Sequence, residues 1–180
     1  KSDHKLDVYL NHILVGTLVE RGTGAMEFTY DQIWLSAAGH VPISQSLPLT
    51  SANFKGDKVR SFFENLLPDS IEVRRKMAAC IGSESTSDFD LLSTVGRDCV
   101  GSFQFVPHGS QLMRPKSISG TKVGPAKIAM ILENLPNSPL GNLPEAEFRI
   151  SIAGAQDKTG FLWTDKSWFI PSGSTPTTHI

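Results

Sequence analysis

The residues best suited to chemistry lie between Phe148 and Lys158. Phe148, Ile150 and Ile152 alternate with Arg149 and Ser151, which is the period of a half-buried strand. Ala153, Gly154 and Ala155 come next as a small-residue turn, and Phe161 to Thr164 resumes as a strand. Such a turn lets backbone N–H groups approach phosphate oxygens, a distance that bulkier side chains would prevent. Lys158 adds a cation suited to phosphate, although the same residue also reads as an exposed strand lysine. A full G-x-G-x-x-G is absent, and Gly160 follows Lys158 and Thr159 instead of preceding such a pair, which excludes a Walker A loop. Asp165 and Lys166 then predict a turn, Trp168 to Ile170 a third strand, and Pro171 to Thr178 a loop leading into His179 and Ile180.

The elements that must carry this segment begin with strands. Leu6, Val8 and Leu10 alternate with polar residues, Asn11 and His12 offer a turn, Ile13 to Glu20 continues as a strand, and Met26 to Tyr30 suggests another. Past Ser44–Leu49 the period changes: Val59, Phe62, Phe63, Leu66 and Leu67 fall on one helical face, ended by Pro68. Asp69 or Ser70 can cap a second helix whose buried side carries Val73, Met77, Cys80 and Ile81 up to Gly82. Ser87 and Asp90 imitate a capping box, and Val100 to Val106 reads as a strand. Pro107 to Pro125 is rich in Gly, Ser, Pro and Lys and reads as an exposed connection. Beyond it Ile128, Ile131, Leu132 and Leu135 repeat at helical spacing.

Composition excludes several classes. Lys and Arg number 17 against 18 Asp and Glu, a formal charge of -1, so no basic stripe draws the chain to nucleic acid. The nearest candidate, Arg74, Arg75 and Lys76, reads as a solvated helix face. His4, His12, His40, His108 and His179 lack partners at metal-ligand spacing, so no structural metal is expected. Cys80 and Cys99, with no apolar leader and no run long enough to cross a bilayer, predict a reducing cytoplasm and no membrane contact. Cys80 falls in an apolar helical pattern and reads as a buried thiol, with one disulfide between the two as the alternative.

Strand, small-residue turn and strand is the order that a protein-kinase N-lobe uses to hold ATP. The run Arg149–Lys158 (RISIAGAQDK) together with Pro171–Ile180 (PSGSTPTTHI) resembles the phosphate-loop region of HipA-type serine/threonine kinase toxins. Ser46–Leu49 (SLPL), Phe62–Asp69 (FFENLLPD), Phe89–Leu92 (FDLL), Val95–Asp98 (VGRD) and Val100–Gly101 resemble family words in the same order. The resemblance implies an α+β chain: a small β-rich N-terminal subdomain with packed helices over 1–107, a linker over 108–124, and the start of a kinase-like N-lobe over 125–180. It implies ATP contact by Ala153, Gly154, Ala155, Gln156, Asp157 and Lys158, with Asp157 standing where many members have Glu. It also implies that Ser151 is the serine which such kinases phosphorylate on themselves to switch off, whereas pattern alone reads it as a solvent-facing strand residue.

The same resemblance implies a toxin that phosphorylates glutamyl-tRNA synthetase or a related synthetase with ATP and Mg. Translation is inhibited, growth arrest and persistence result, and a HipB-like antitoxin restrains the toxin and provides most of the contact with operator DNA. The family's ATP-pairing Lys is expected just beyond Ile180, with the catalytic and Mg-binding Asp residues further on, so no catalytic residue is expected in this chain. The alternative is a separate, non-catalytic subunit that restrains a split kinase of this type.

Overall fold

A computed structural model describes residues 2–83, 85–95, 103–110, 112, 118–135, 159–172, 175 and 177–180. The opening alternation produces strand β1 (His4–Leu10), and Asn11 and His12, at φ 50° and 65°, form the two-residue turn into β2 (Ile13–Glu20). Positive φ at both turn residues gives the twist that suits a right-handed hairpin. Strands β3 (Met26–Tyr30), β4 (Phe54–Lys55) and β5 (Phe103–Pro107) complete an antiparallel sheet in the order β4-β3-β2-β1-β5. The register aligns Leu6 with Leu18, Leu18 with Phe28, Phe28 with Phe54, and Val8 with Phe105, so one face is apolar across all five strands. Gly16 in β2 is required there: a Cβ on it would lie 2.3 Å from the Thr29 carbonyl oxygen and 2.9 Å from the Phe28 ring.

Helices α1 (Gln32–Ser36), α2 (Asp57–Glu64), α3 (Ile71–Ile81) and α4 (Asp88–Val95) connect the strands. Phe63 of α2 meets Phe28 at 5.6 Å and Phe105 at 5.8 Å between ring centroids, and Phe62 meets Phe103 at 5.8 Å. Leu66, Leu67, Met77, Ala78, Phe89, Leu91 and Leu92 extend this core. Each fully buried Leu or Phe contributes roughly 1.5–3 kcal/mol. The Ser70 hydroxyl caps α3 by accepting from Val73 N, and Gly82 closes it at φ 67° in the left-handed region that glycine tolerates. Ser87 accepts from Asp90 N at 3.2 Å, the N-cap half of a capping box; the reciprocal bond is replaced, since Ser87 N donates to the Ser85 hydroxyl at 2.9 Å and the Ser87 hydroxyl donates to the Asp90 carboxylate at 2.8 Å.

Three differences from the sequence reading around the first sheet have physical causes. The helix expected through Leu67 ends at Glu64 and continues only as tight turns, Leu66 N to the Phe63 carbonyl at 3.2 Å and Leu67 N to the Glu64 carbonyl at 3.0 Å, ahead of Pro68, which disfavours helical backbone at the residue before it, although Leu66 and Leu67 stay buried. Arg74, expected on a solvated face with Arg75 and Lys76, is buried at 8% exposure, because Asp88 neutralises it from α4. Helix α1 and strand β4 are too short for a periodic signal to show.

A second sheet contains β6 (Gly120–Val123), β7 (Leu162–Thr164) and β8 (Ser167–Pro171) in the antiparallel order β6-β8-β7. Asp165 and Lys166, at φ 47° and 54°, form the expected turn between β7 and β8. Residues 120–123 fall in the stretch that reads as an exposed connection, yet they pair with β8 from Gly120↔Pro171 to Val123↔Trp168. Three of the four are exposed, which erases the alternation that would have marked a strand. Helix α5 (Pro125–Glu133) starts on Pro125 and packs Ile128 and Ile131 with Val123, Phe161, Trp168 and Ile170.

Candidate functional site

Ser151 and Ala153 to Lys158 lie outside the described residues, as do Phe148, Ile150 and Ile152. Thr159 and Gly160 lead into Phe161, whose ring is buried and whose backbone is held by Thr178 and His179. Phe161 N donates to the His179 carbonyl at 2.9 Å, and the Phe161 carbonyl accepts from both Thr178 N at 2.9 Å and His179 N at 3.1 Å. Two residues thus oppose one, the arrangement of a β-bulge. The Thr178 hydroxyl accepts from Trp163 N at 2.7 Å and lies 2.8 Å from His179 Nδ1. The chain leaving Lys158 and the end of the stretch Pro171–Ile180 are therefore neighbours, joined by an antiparallel bridge between Phe161 and His179. Sequence reasoning missed this clasp, since a loop of Ser, Thr and Pro carries no pairing signal.

Around this edge Trp168 packs against Trp163 at 4.8 Å and against His179 at 4.7 Å. Gly120 permits the close approach of β6 to β8, since a Cβ there would lie 2.6 Å from the Ile170 carbonyl oxygen. Across the sheet, Ser119 N donates to the Thr175 hydroxyl at 2.9 Å. The result is an antiparallel support that ties β6, β8 and β7 to Thr175, Thr178 and His179.

In the first sheet the polar clusters read as structure. Arg21 bridges Asp3 at 2.6 Å and Glu27 at 2.7 Å, and Asn53 and Lys55 also meet Glu27. The Arg21 guanidinium, with Asn53, holds the Glu27 carboxyl down at about 2, and Arg21 and Gly22 N hold Asp3 below its usual range. Burial pushes the Tyr30 phenol up; its oxygen accepts from Ile43 N at 2.9 Å and donates to the Leu47 carbonyl at 2.5 Å, tying down the SLPL stretch. Asp7 receives the His108 ring at 2.7 Å and Gly109 N at 3.0 Å. A cleft of about 590 Å³ lined by His4, Arg21, Ser85, Ser87 and Asp90 mixes both charge signs, and its arginine is already engaged by two carboxylates. No described group of three or more His, Cys, Asp or Glu side chains converges as for a metal, and no described helix is long and apolar enough to cross a membrane.

The sheet of β1 to β5 with helices α1 to α4 coincides with the span 6–106, which matches the family described as HipA N-terminal domain. This chain belongs to the HipA N-terminal domain family. Its HipA-type sheet and helices are shared with a chain of the Shewanella oneidensis MR-1 complex of HipA, HipB and operator DNA, at TM-score 0.68 and 22% identity, over 96% of this chain and 39% of that one. That likeness supports the mixed α/β fold with antiparallel sheets. Y4mE of Sinorhizobium fredii, provisionally named a kinase, is 32% identical over 178 residues, 97% of this chain and 42% of its own length. The serine/threonine-protein kinase toxin HipA of Shewanella oneidensis is 24% identical over 180 residues, 97% of this chain and 39% of its own. The HipA-type chain thus spans about two fifths of the length of these curated relatives.

Proposed function

We propose that this chain is the N-terminal part of a HipA-like toxin whose full-length form is an ATP-dependent serine/threonine protein kinase. The observation that carries the reading is the reach of the similarity: relatives named as kinases align over 97% of the chain, well past the family span 6–106 and through the second sheet. A subunit that only restrains a kinase has no use for the phosphate-loop words that follow Phe148.

In this reading Ala153, Gly154, Ala155, Gln156, Asp157 and Lys158 contact ATP, with backbone N–H groups doing most of the work because the side chains of the turn are small. The β7–β8 hairpin and its partner strands fit that task, since they anchor the loop's exit in a paired sheet. ATP supplies the phosphoryl group, and the Mg ligands, base and ATP-pairing Lys belong to chain beyond Ile180. The acceptor is a serine of a protein, with glutamyl-tRNA synthetase or a related synthetase as the substrate class and growth arrest as the consequence. A HipB-like antitoxin is the restraining partner and provides most of the contact with operator DNA, since the near-neutral balance of this chain gives it no basic footprint of its own.

The test is incubation of the purified full-length protein with labelled ATP and Mg, then mapping of labelled peptides. Label on the protein itself, or transferred to an added synthetase, is the expected result. Complete absence of transfer from a folded protein sinks the kinase reading.

A further inference from the structure

Thr178 makes more backbone contacts than an exposed loop residue needs. Its N–H donates to the Phe161 carbonyl at 2.9 Å, its hydroxyl accepts from Trp163 N at 2.7 Å, and the hydroxyl also meets His179 Nδ1 at 2.8 Å. With His179 N on the same Phe161 carbonyl at 3.1 Å, one residue of the incoming strand is gripped by two residues opposite. A bulge of this kind interrupts the alternation of the strand and re-aims the adjoining side chains, a device frequent beside active sites. Here a side-chain oxygen takes the place of the carbonyl that a regular ladder would present to Trp163 N. Trp168 backs the grip by packing on both Trp163 and His179.

We propose that Thr178 is a positioning residue for nucleotide binding, acting through the backbone of Phe161. The inference rests on the kinase reading above. Phe161 is where the chain coming from Lys158 enters the sheet, so whatever holds that backbone sets the exit of the ATP-contacting segment. The hydroxyl is the specific requirement: serine keeps the acceptor, whereas valine keeps the shape and leaves Trp163 N without it. Because Thr178 acts through the backbone of Phe161 and Trp163, its loss weakens ATP binding and leaves the chemical step intact.

The experiment measures ATP-dependent phosphorylation by the full-length protein with Thr178→Val and Thr178→Ser, alongside melting temperature and amide exchange at Trp163. The expected result for Thr178→Val is a KM for ATP raised roughly three- to tenfold, the equivalent of one lost hydrogen bond, with kcat near that of the parent. Exchange at Trp163 should quicken, and Thr178→Ser should restore both values. A Thr178→Val protein with unchanged KM overturns the inference while leaving the kinase reading intact. So does a joint loss of kcat, ATP affinity and melting temperature that serine does not rescue. An inactive parent protein overturns the kinase reading and the inference with it.

Discussion

Arg74 and Asp88 form an ion pair at 2.6 Å with side chains only 10% and 8% exposed, joining α3 to α4. Arg74 also donates through Nε to the Pro68 carbonyl at 2.6 Å, and Asp88 receives Arg60 at 3.4 Å. The pair therefore staples the turn after α2, the helix next to it and the start of α4.

Removing one member leaves the other charged and buried. Arg74→Met or Asp88→Asn should each lower unfolding stability by about 3–5 kcal/mol in urea titrations. The double variant Arg74→Met with Asp88→Leu should lose less than the sum, because no uncompensated charge remains. Additive losses would mean that the two side chains do not depend on each other.

Tyr30 connects the sheet to the Pro-containing stretch by accepting from Ile43 N and donating to the Leu47 carbonyl. Tyr30→Phe keeps the ring contacts with Phe28 and Phe54 and removes only the oxygen. A loss of about 1–3 kcal/mol is expected, with faster amide exchange at Ile43 as the local sign.

Gly16 is fixed by sterics. A methyl placed 2.3 Å from the Thr29 carbonyl oxygen cannot be absorbed by side-chain movement alone, so Gly16→Ala should force β2 from β3. The expected destabilisation is about 1–3 kcal/mol or more, read as a lower melting temperature. Gly24, with open space around its Cβ direction and φ 82°, should respond to alanine through backbone strain instead.

Acid should weaken the first sheet through Glu27. Its folded-state carboxyl sits at about 2 against an ordinary 4.5, chiefly because Arg21 and then Asn53 bond to the ionised form. A carboxyl depressed on folding stabilises fully above its unfolded value and loses that stabilisation as pH falls from about 4.5 towards about 2. Urea midpoints measured across that window should fall with acid, and Glu27→Gln should flatten the slope. An unchanged slope in the variant would assign the acid response to other carboxylates.

On the proposed kinase reading, Ser151 is the serine through which the enzyme would switch itself off. A phosphoryl group there adds nearly two negative charges a few residues from amides meant for ATP phosphates, so loop and nucleotide would repel each other. Ser151→Ala in the full-length protein should abolish self-inactivation during incubation with ATP. Activity that still decays at the parent rate would remove Ser151 from the switch.

Periodicity in the sequence determined most of the elements: the hairpin of β1 and β2, β3, the helical faces around Phe63 and Met77, the Ser87 cap and the β7–β8 hairpin all arise from local alternation, spacing and turn chemistry. Local rules suffice there because each such element buries one face and shows it in the pattern. The tertiary structure alone decided what depends on a partner distant in the chain. Arg74 reads as solvated until Asp88 arrives from the next helix, 14 residues on. Gly120–Val123 reads as a connection until β8 supplies the other half of its ladder. Thr178 reads as loop until Phe161 and Trp163, 17 and 15 residues earlier, present the groups that it binds. The words at 149–158 resemble those of a phosphate loop; the pairing of the chain that follows Lys158 became visible only when strands far apart in sequence were joined, because hydrogen-bond ladders are written in space and leave little trace in composition.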